Sequence, residues 1–189
     1  KKEKILESAI ALLKECDDVK EVTTRRIAER AAVNPAMINY YYGSKDDLLV
    51  ESLKRILAGF LTEQDIEYDP SKPKEALEAI LGTFVCGIMT YKKYLSTAVP
   101  RILMEDEIYL SNLIAPMVKK FYGDRKSESE CRLLAYRTVS FILLVLYRSD
   151  AVKDYCGVDV TDKDQCCVFV KNEIGFMLNC ADAQKPKTG

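Results

Sequence analysis

Between Val33 and Lys45 the sequence reads VNPAMINYYYGSK, and residues 39–45 alone bring together an amide, three phenols, a hydroxyl and an ammonium. By itself the tyrosine triplet is compatible with a core strand, an aromatic ligand cage, or a surface that grips something flat and charged. Three consecutive residues cannot share one face of a regular element. The neighbouring residues favour the third option. Asn34-Pro35 is a helix start, with an Asn cap and Pro at the first position, and Gly43 ends that helix about seven residues later. Two turns bury little but can present two or three side chains. Ala36 and Met37 can touch thymine methyls, and the Asn39 amide can pair with an adenine edge. Tyr41 can donate its hydroxyl to a phosphate. Ile38 and Tyr42, four apart, look inward, so one tyrosine of the three packs and two face outward. Ser44, with Asp47 in a weak capping box, opens a further helix, and with Lys45 gives a positive end suited to phosphate.

Other chemistry is poorly provided for. The chain of 189 residues contains no histidine, and its seven cysteines show no CxxC spacing. No HExxH, GxSxG or phosphate-loop pattern occurs, so no enzyme activity, metal or cofactor is expected. The cysteines read as free buried thiols in a reducing cytoplasm, with Cys166-Cys167 packed in a helix. The formal charge is −1, from 28 basic and 29 acidic residues, so any surface for nucleic acid must be local. The longest apolar run, Val139 to Tyr147, spans nine residues. A membrane-crossing helix needs about 20, so a soluble, cytoplasmic chain with no membrane partner is expected.

The elements that must position these groups read as helices throughout. Residues 3–16 carry a broad apolar stripe that includes Ile5, Leu6, Ala9 and Leu13. Thr23 and Thr24 offer caps to a short helix, RRIAERAA, and the connection AVN leads into the short helix that Asn34 begins. A long helix follows Ser44, and after a polar connection come helices near 74–90, 92–104, 107–122, 128–149 and 162–180. Pro100 and Pro116 are expected to break or kink two of them. The fold class is all-α. The unit from Thr24 to Tyr42 has the helix-turn-helix arrangement, whose second helix enters the major groove.

The block ILESAIALLKE…VTTRRIAERAAVNPAMINYYYGSKDDLL resembles the N-terminal DNA-binding region of the TetR (tetracycline-repressor-like) regulators over about 45 residues. The resemblance implies that Thr24 holds a phosphate and that Arg25 reaches a base or phosphate beside it. Pro35, Ala36, Met37 and Asn39 would read bases, while Tyr40, Tyr41 and Lys45 would clamp the backbone. Ala32 stands where the family most often has glycine, which calls for right-handed backbone there, and Asn39 stands where tyrosine is common.

The implied organisation is a three-helix DNA-binding domain at 1–46, a helical effector-binding and dimerisation domain at 47–182, and a disordered tail at 183–189. The implied function is a repressor that binds a palindromic operator in double-stranded DNA as a homodimer and is released by a small-molecule effector. An all-α dimeric adaptor or enzyme with a vestigial helix-turn-helix is the alternative. The two apolar terminal helices suit a dimer interface through Leu134, Thr138, Ile142 and Val145 on one and Val170, Ile174 and Met177 on the other. An apolar effector cavity is expected from Phe60, Phe84, Ile88, Met104, Tyr109 and Leu113, with Tyr91, Tyr94 or Arg101 as polar anchor.

Overall fold

A computed structural model describes residues 1–63, 69, 71–104 and 109–179. Among these residues the only regular structure is helical. In chain order the α-helices are α1 (Lys2–Glu15), α2 (Thr24–Ala31), α3 (Ala36–Tyr42), α4 (Lys45–Glu63), α5 (Pro73–Thr90), α6 (Leu95–Met104), α7 (Tyr109–Tyr122), α8 (Glu128–Tyr147), α9 (Ser149–Cys156) and α10 (Lys163–Asn179). The expected tail at 183–189 lies outside the described residues. Two compact units form: Lys1–Gln64 with Gly87–Met104, and Asp65–Cys86 with Glu105–Gly189.

The first unit closes around α1. Its stripe of Ile5, Leu6, Ala9, Leu12 and Leu13 is buried, and α2 and α4 pack directly on it. Each junction ends where the local chemistry asks. Thr23 accepts the Arg26 amide at 3.2 Å, a cap worth about 1 kcal/mol. At the other end of α2 the Val33 amide donates to the Ala28 carbonyl and the Ala32 amide to that of Glu29. This is the double bond pattern of a left-handed helix stop. Ala32 accordingly sits at φ 52°, ψ 49°. The expectation of right-handed backbone at Ala32 is therefore corrected: the tight turn needs the left-handed conformation that glycine takes without strain, and alanine adopts it against its Cβ.

Asn34 caps α3 through its side chain, accepting the Ala36 amide at 2.9 Å. Gly43, at φ 83°, stops it. Tyr94 and Ile102 extend this unit's core from later in the chain. The buried Tyr94 donates its hydroxyl toward the carbonyls of Leu13 and Cys16, both at 3.3 Å. Burial pushes its pKa up to about 12. Pro100 and Pro116 each remove one ladder hydrogen bond, yet both lie inside continuous helices. Neither breaks its helix, and buried neighbours, Val99 beside one and Ala115 beside the other, pack there.

The second unit is built on α8, which packs on α7 and α10. Ser127 and Glu130 form a reciprocal capping box at its start. The helix stops at Tyr147, earlier than expected, because Arg148 leaves helical conformation, and a separate α9 runs from Ser149 until Gly157 turns left-handed. Tyr122 ties α7 to α10, donating its hydroxyl to the Met177 carbonyl at 2.7 Å.

The residues expected at a dimer interface on the terminal helices mostly face inward. Thr138, Ile142, Val145, Val170, Ile174 and Met177 are buried in the unit's own seams, and Leu134 is half-buried. What α8 and α10 leave outside is a different apolar set: Leu133, Phe141 and Leu144 on one, Val168 and Phe176 on the other. Phe141 and Phe169 meet across them with ring centroids 6.2 Å apart. Of the six described cysteines, none in a disulfide, Cys16, Cys131 and Cys166 are buried. Cys86, Cys156 and Cys167 are exposed, which corrects the reading of buried thiols for those three.

Candidate nucleic-acid interface

The short helix α3 divides its residues by depth. Ile38 is fully buried and anchors the helix to α4. Ala36, Asn39 and Tyr40, at i, i+3 and i+4, form one outward face beside Pro35, and Tyr40 is 78% exposed. Met37 and Tyr41 flank that face, partly packed on the core. Tyr41 meets the Tyr40 ring edge-on at 5.0 Å. Tyr42 is also half-buried. It donates its hydroxyl to the Lys2 carbonyl at 2.9 Å, and the Lys2 ammonium lies 5.4 Å from its ring centre. The expected division of one tyrosine inward and two outward is thus corrected. Tyr42 is pinned to α1, Tyr41 lies between, and Tyr40 alone stands free.

A second feature begins just past the end of α3. Thr23 and Thr24 from the start of α2, with Ser44, Lys45 and Asp46 from the start of α4, line one open depression of about 430 Å³. The first residues of two helices line it, where a helix carries its positive dipole end. Lys45 makes no ion pair among the described residues, so its ammonium is available to an anion there. Ser44 is held in place: its hydroxyl donates to Asp47, whose amide returns a bond to the Ser44 oxygen at 3.0 Å. Asp47 in turn pairs with Arg101 of α6. The Ser44 hydrogen bond first, and Arg101 after it, hold the Asp47 carboxyl below its usual range.

Arg25 stands on the exposed side of α2, its Nε 2.7 Å from Glu29 Oε1. The other two arginines of this helix serve its packing. Arg26 donates to the Glu21 carbonyl at 3.1 Å, and Arg30 pairs with Glu15 of α1 at 2.6 Å. The head therefore offers an outward polar face on α3, an open depression lined by three hydroxyl side chains with Lys45 and Asp46, and one exposed guanidinium. That combination suits a nucleic-acid backbone with base edges beside it.

Residues 5–51 match the family model of bacterial regulatory proteins, tetR family. The chain carries the DNA-binding domain of the TetR family. The match covers the helix-turn-helix head and no more of the chain. No curated protein matches the chain.

In this TetR-type head the structure brings together Thr24, Ser44 and Lys45, and separately Pro35, Ala36, Asn39 and Tyr40. Thr23, Glu29 and Asn34 were not among the expected site residues. The Ser/Thr/Asn capping rule flags Thr23 and Asn34, and the i,i+4 spacing from Arg25 flags Glu29. The residues expected to line an effector cavity fall differently. In the first unit Ile88 and Tyr94 are buried, Tyr91 is half-buried and Met104 is 82% exposed. Tyr94 and Arg101, offered as polar anchors, are engaged with the head through Leu13, Cys16 and Asp47. Met104 at the surface does not suit a cavity wall. In the second unit Phe84 is buried and Leu113 reaches the surface. The side chains of Phe60 and Tyr109 lie outside the described residues. Among the described residues no group of acids and cysteines could hold a metal ion, and no helix is long and apolar enough to cross a membrane.

Proposed function

We propose that the protein is a cytoplasmic transcriptional repressor, not an enzyme, that binds a palindromic operator as a homodimer and is released by a small-molecule effector. The observation that carries the DNA-binding part is the convergence of the α2 and α4 N-termini with Lys45, just past the end of the short exposed helix α3. Thr24, Ser44 and Lys45 take a phosphate in that depression. Ala36 and Asn39 meet base edges, with Met37 at the margin and Pro35 at the leading end. Tyr40 and Tyr41 contact the backbone. Arg25 enters beside them.

Dimerisation is supported by the apolar face that α8 and α10 leave uncovered, carrying Leu133, Phe141, Leu144, Val168 and Phe176. A second copy presenting the same face would bury it isologously and give the two-fold symmetry that a palindrome requires. Release by an effector rests on the family resemblance. A ligand favouring a conformation with misplaced heads would draw the dimer off DNA by linkage.

The test is selection of duplexes from a random pool by the full chain, followed by sedimentation of the free protein. Inverted half-sites roughly 34–36 Å apart, or a multiple of that, and a dimer at micromolar concentration are the expected results. A chain that enriches no sequence and binds duplex no more tightly than salt-insensitive background would overturn the reading.

A further inference from the structure

The Arg25–Glu29 pair is placed badly for helix stability. In the eight-residue α2 the arginine lies in the first turn, whose dipole end is positive, and the glutamate lies near the negative end. An acidic residue preceding a basic one at this spacing would suit the dipole, and this pair runs the other way. Neither side chain is buried by it, with 85% and 60% of each exposed. Exposed pairs contribute little to folding in any case. Nor does the pair join α2 to another element, as Arg26 and Arg30 do through Glu21 and Glu15.

The pair does fix how the guanidinium is presented. Glu29 takes the Nε–H, and no other partner engages Arg25 among the described residues. The two terminal amino groups are therefore left without a partner among the described residues, on a side chain that is mostly exposed. Their parallel N–H bonds match the O6 and N7 acceptors of guanine, which an arginine reads end-on. A guanidinium already half-neutralised by a carboxylate has less to gain from a phosphate, which is held by charge, than from a base edge, which is held by the geometry of the fork.

We propose that Glu29 is a positioning residue for DNA selectivity: it holds Arg25 by Nε so that the terminal amino edge meets a guanine. This inference rests on the reading that Arg25 contacts DNA. Glu29 itself touches no base. Its effect passes wholly through Arg25, and it confers selectivity at one base pair per half-site.

The experiment is fluorescence anisotropy of the full chain on its selected duplex and on duplexes changed one base pair at a time. Wild type should discriminate against loss of the guanine by roughly five- to a hundredfold. Arg25→Ala should abolish that discrimination and identify the base pair. Glu29→Ala should cut the discrimination there by about threefold or more, leave selectivity at the pairs read by α3 unchanged, and keep the salt slope. Glu29→Gln, whose amide oxygen still accepts from Nε, should restore most of it. In the Arg25→Ala background Glu29→Ala should do nothing further. Equal change on every duplex, or an undiminished Glu29 effect without Arg25, would overturn the proposal while leaving DNA binding intact. If wild type and Arg25→Ala bind every duplex alike, the underlying reading fails as well. Circular dichroism of each variant separates both outcomes from unfolding.

Discussion

Two of the helices, α3 and α8, meet solvent in opposite ways. The seven residues of α3 bury one side chain, Ile38, and expose an amide and a phenol on the face they share. The twenty residues of α8 bury eight and still leave Leu133, Phe141 and Leu144 outside. A polar exposed face costs the free protein little and finds its partner in hydrogen-bond acceptors and charge. An apolar exposed face is costly in water and finds its partner in another apolar face. On the proposed function, the contrast is between a surface suited to DNA and one suited to a second copy of the chain.

The largest effects should come from buried positions, one in each unit. Ile38→Asp and Ile174→Glu each place an unpaired charge in a closed core, at a cost of several kcal/mol. The first should unfold the head and the second the unit around α8. Urea denaturation followed by circular dichroism reads both. A folded monomer from Ile174→Glu would restore that residue to the dimer interface and erase the distinction drawn between seam and face.

Phe176→Glu tests the outer face, where the side chain is 60% exposed. The fold should persist while the dimer weakens by tenfold or more, a change of about 1.4 kcal/mol, seen by sedimentation. An unchanged dimer would remove α10 from the interface. On the polar side, Lys45→Ala should weaken binding to all duplexes alike and lower the salt slope by about one. Sequence-dependent losses from Lys45→Ala would move it from phosphate to base.

Ala32→Gly should be a gain. Relief of the left-handed strain at φ 52° exceeds the added unfolded-state entropy, for a net stabilisation of about 0.5–1 kcal/mol by denaturant titration. The smallest effect concerns Glu173 beside the outer face of α8. Burial raises its pKa, and Arg137 opposes this only in part. The folded chain therefore holds that proton more tightly than the unfolded one. Its contribution favours folding below the ordinary carboxylate pKa and fades as pH rises through the raised value. Glu173→Gln should flatten this slope just above the ordinary carboxylate range in thermal melts.

The α3 surface was largely legible in the residues, since Asn34, Pro35 and Gly43 bound a helix too short to be anything but a presented element. Arg101 was not legible. A lone arginine beside apolar residues reads as a ligand anchor until the fold carries it to Asp47, which is 54 positions earlier in the chain. Tyr94 was missed for the same reason, because its buried hydroxyl answers to carbonyls 78 and 81 residues away.

Local rules settled what depends on neighbours within a turn or two. The caps at Thr23 and Asn34, the stop at Gly43, the helical class and the head's resemblance to a known family all follow from interactions spanning three to five residues. Tertiary structure alone decided which apolar stripe of α8 and α10 is core and which is surface, because both helices are apolar on more than one side. It also decided the backbone at Ala32, where the closure between α2 and α3 overrides the preference of an alanine. For the stripes the deciding partner is remote in sequence, and only packing can choose among them; at Ala32 the two bonds that close α2 outweigh the residue's own preference.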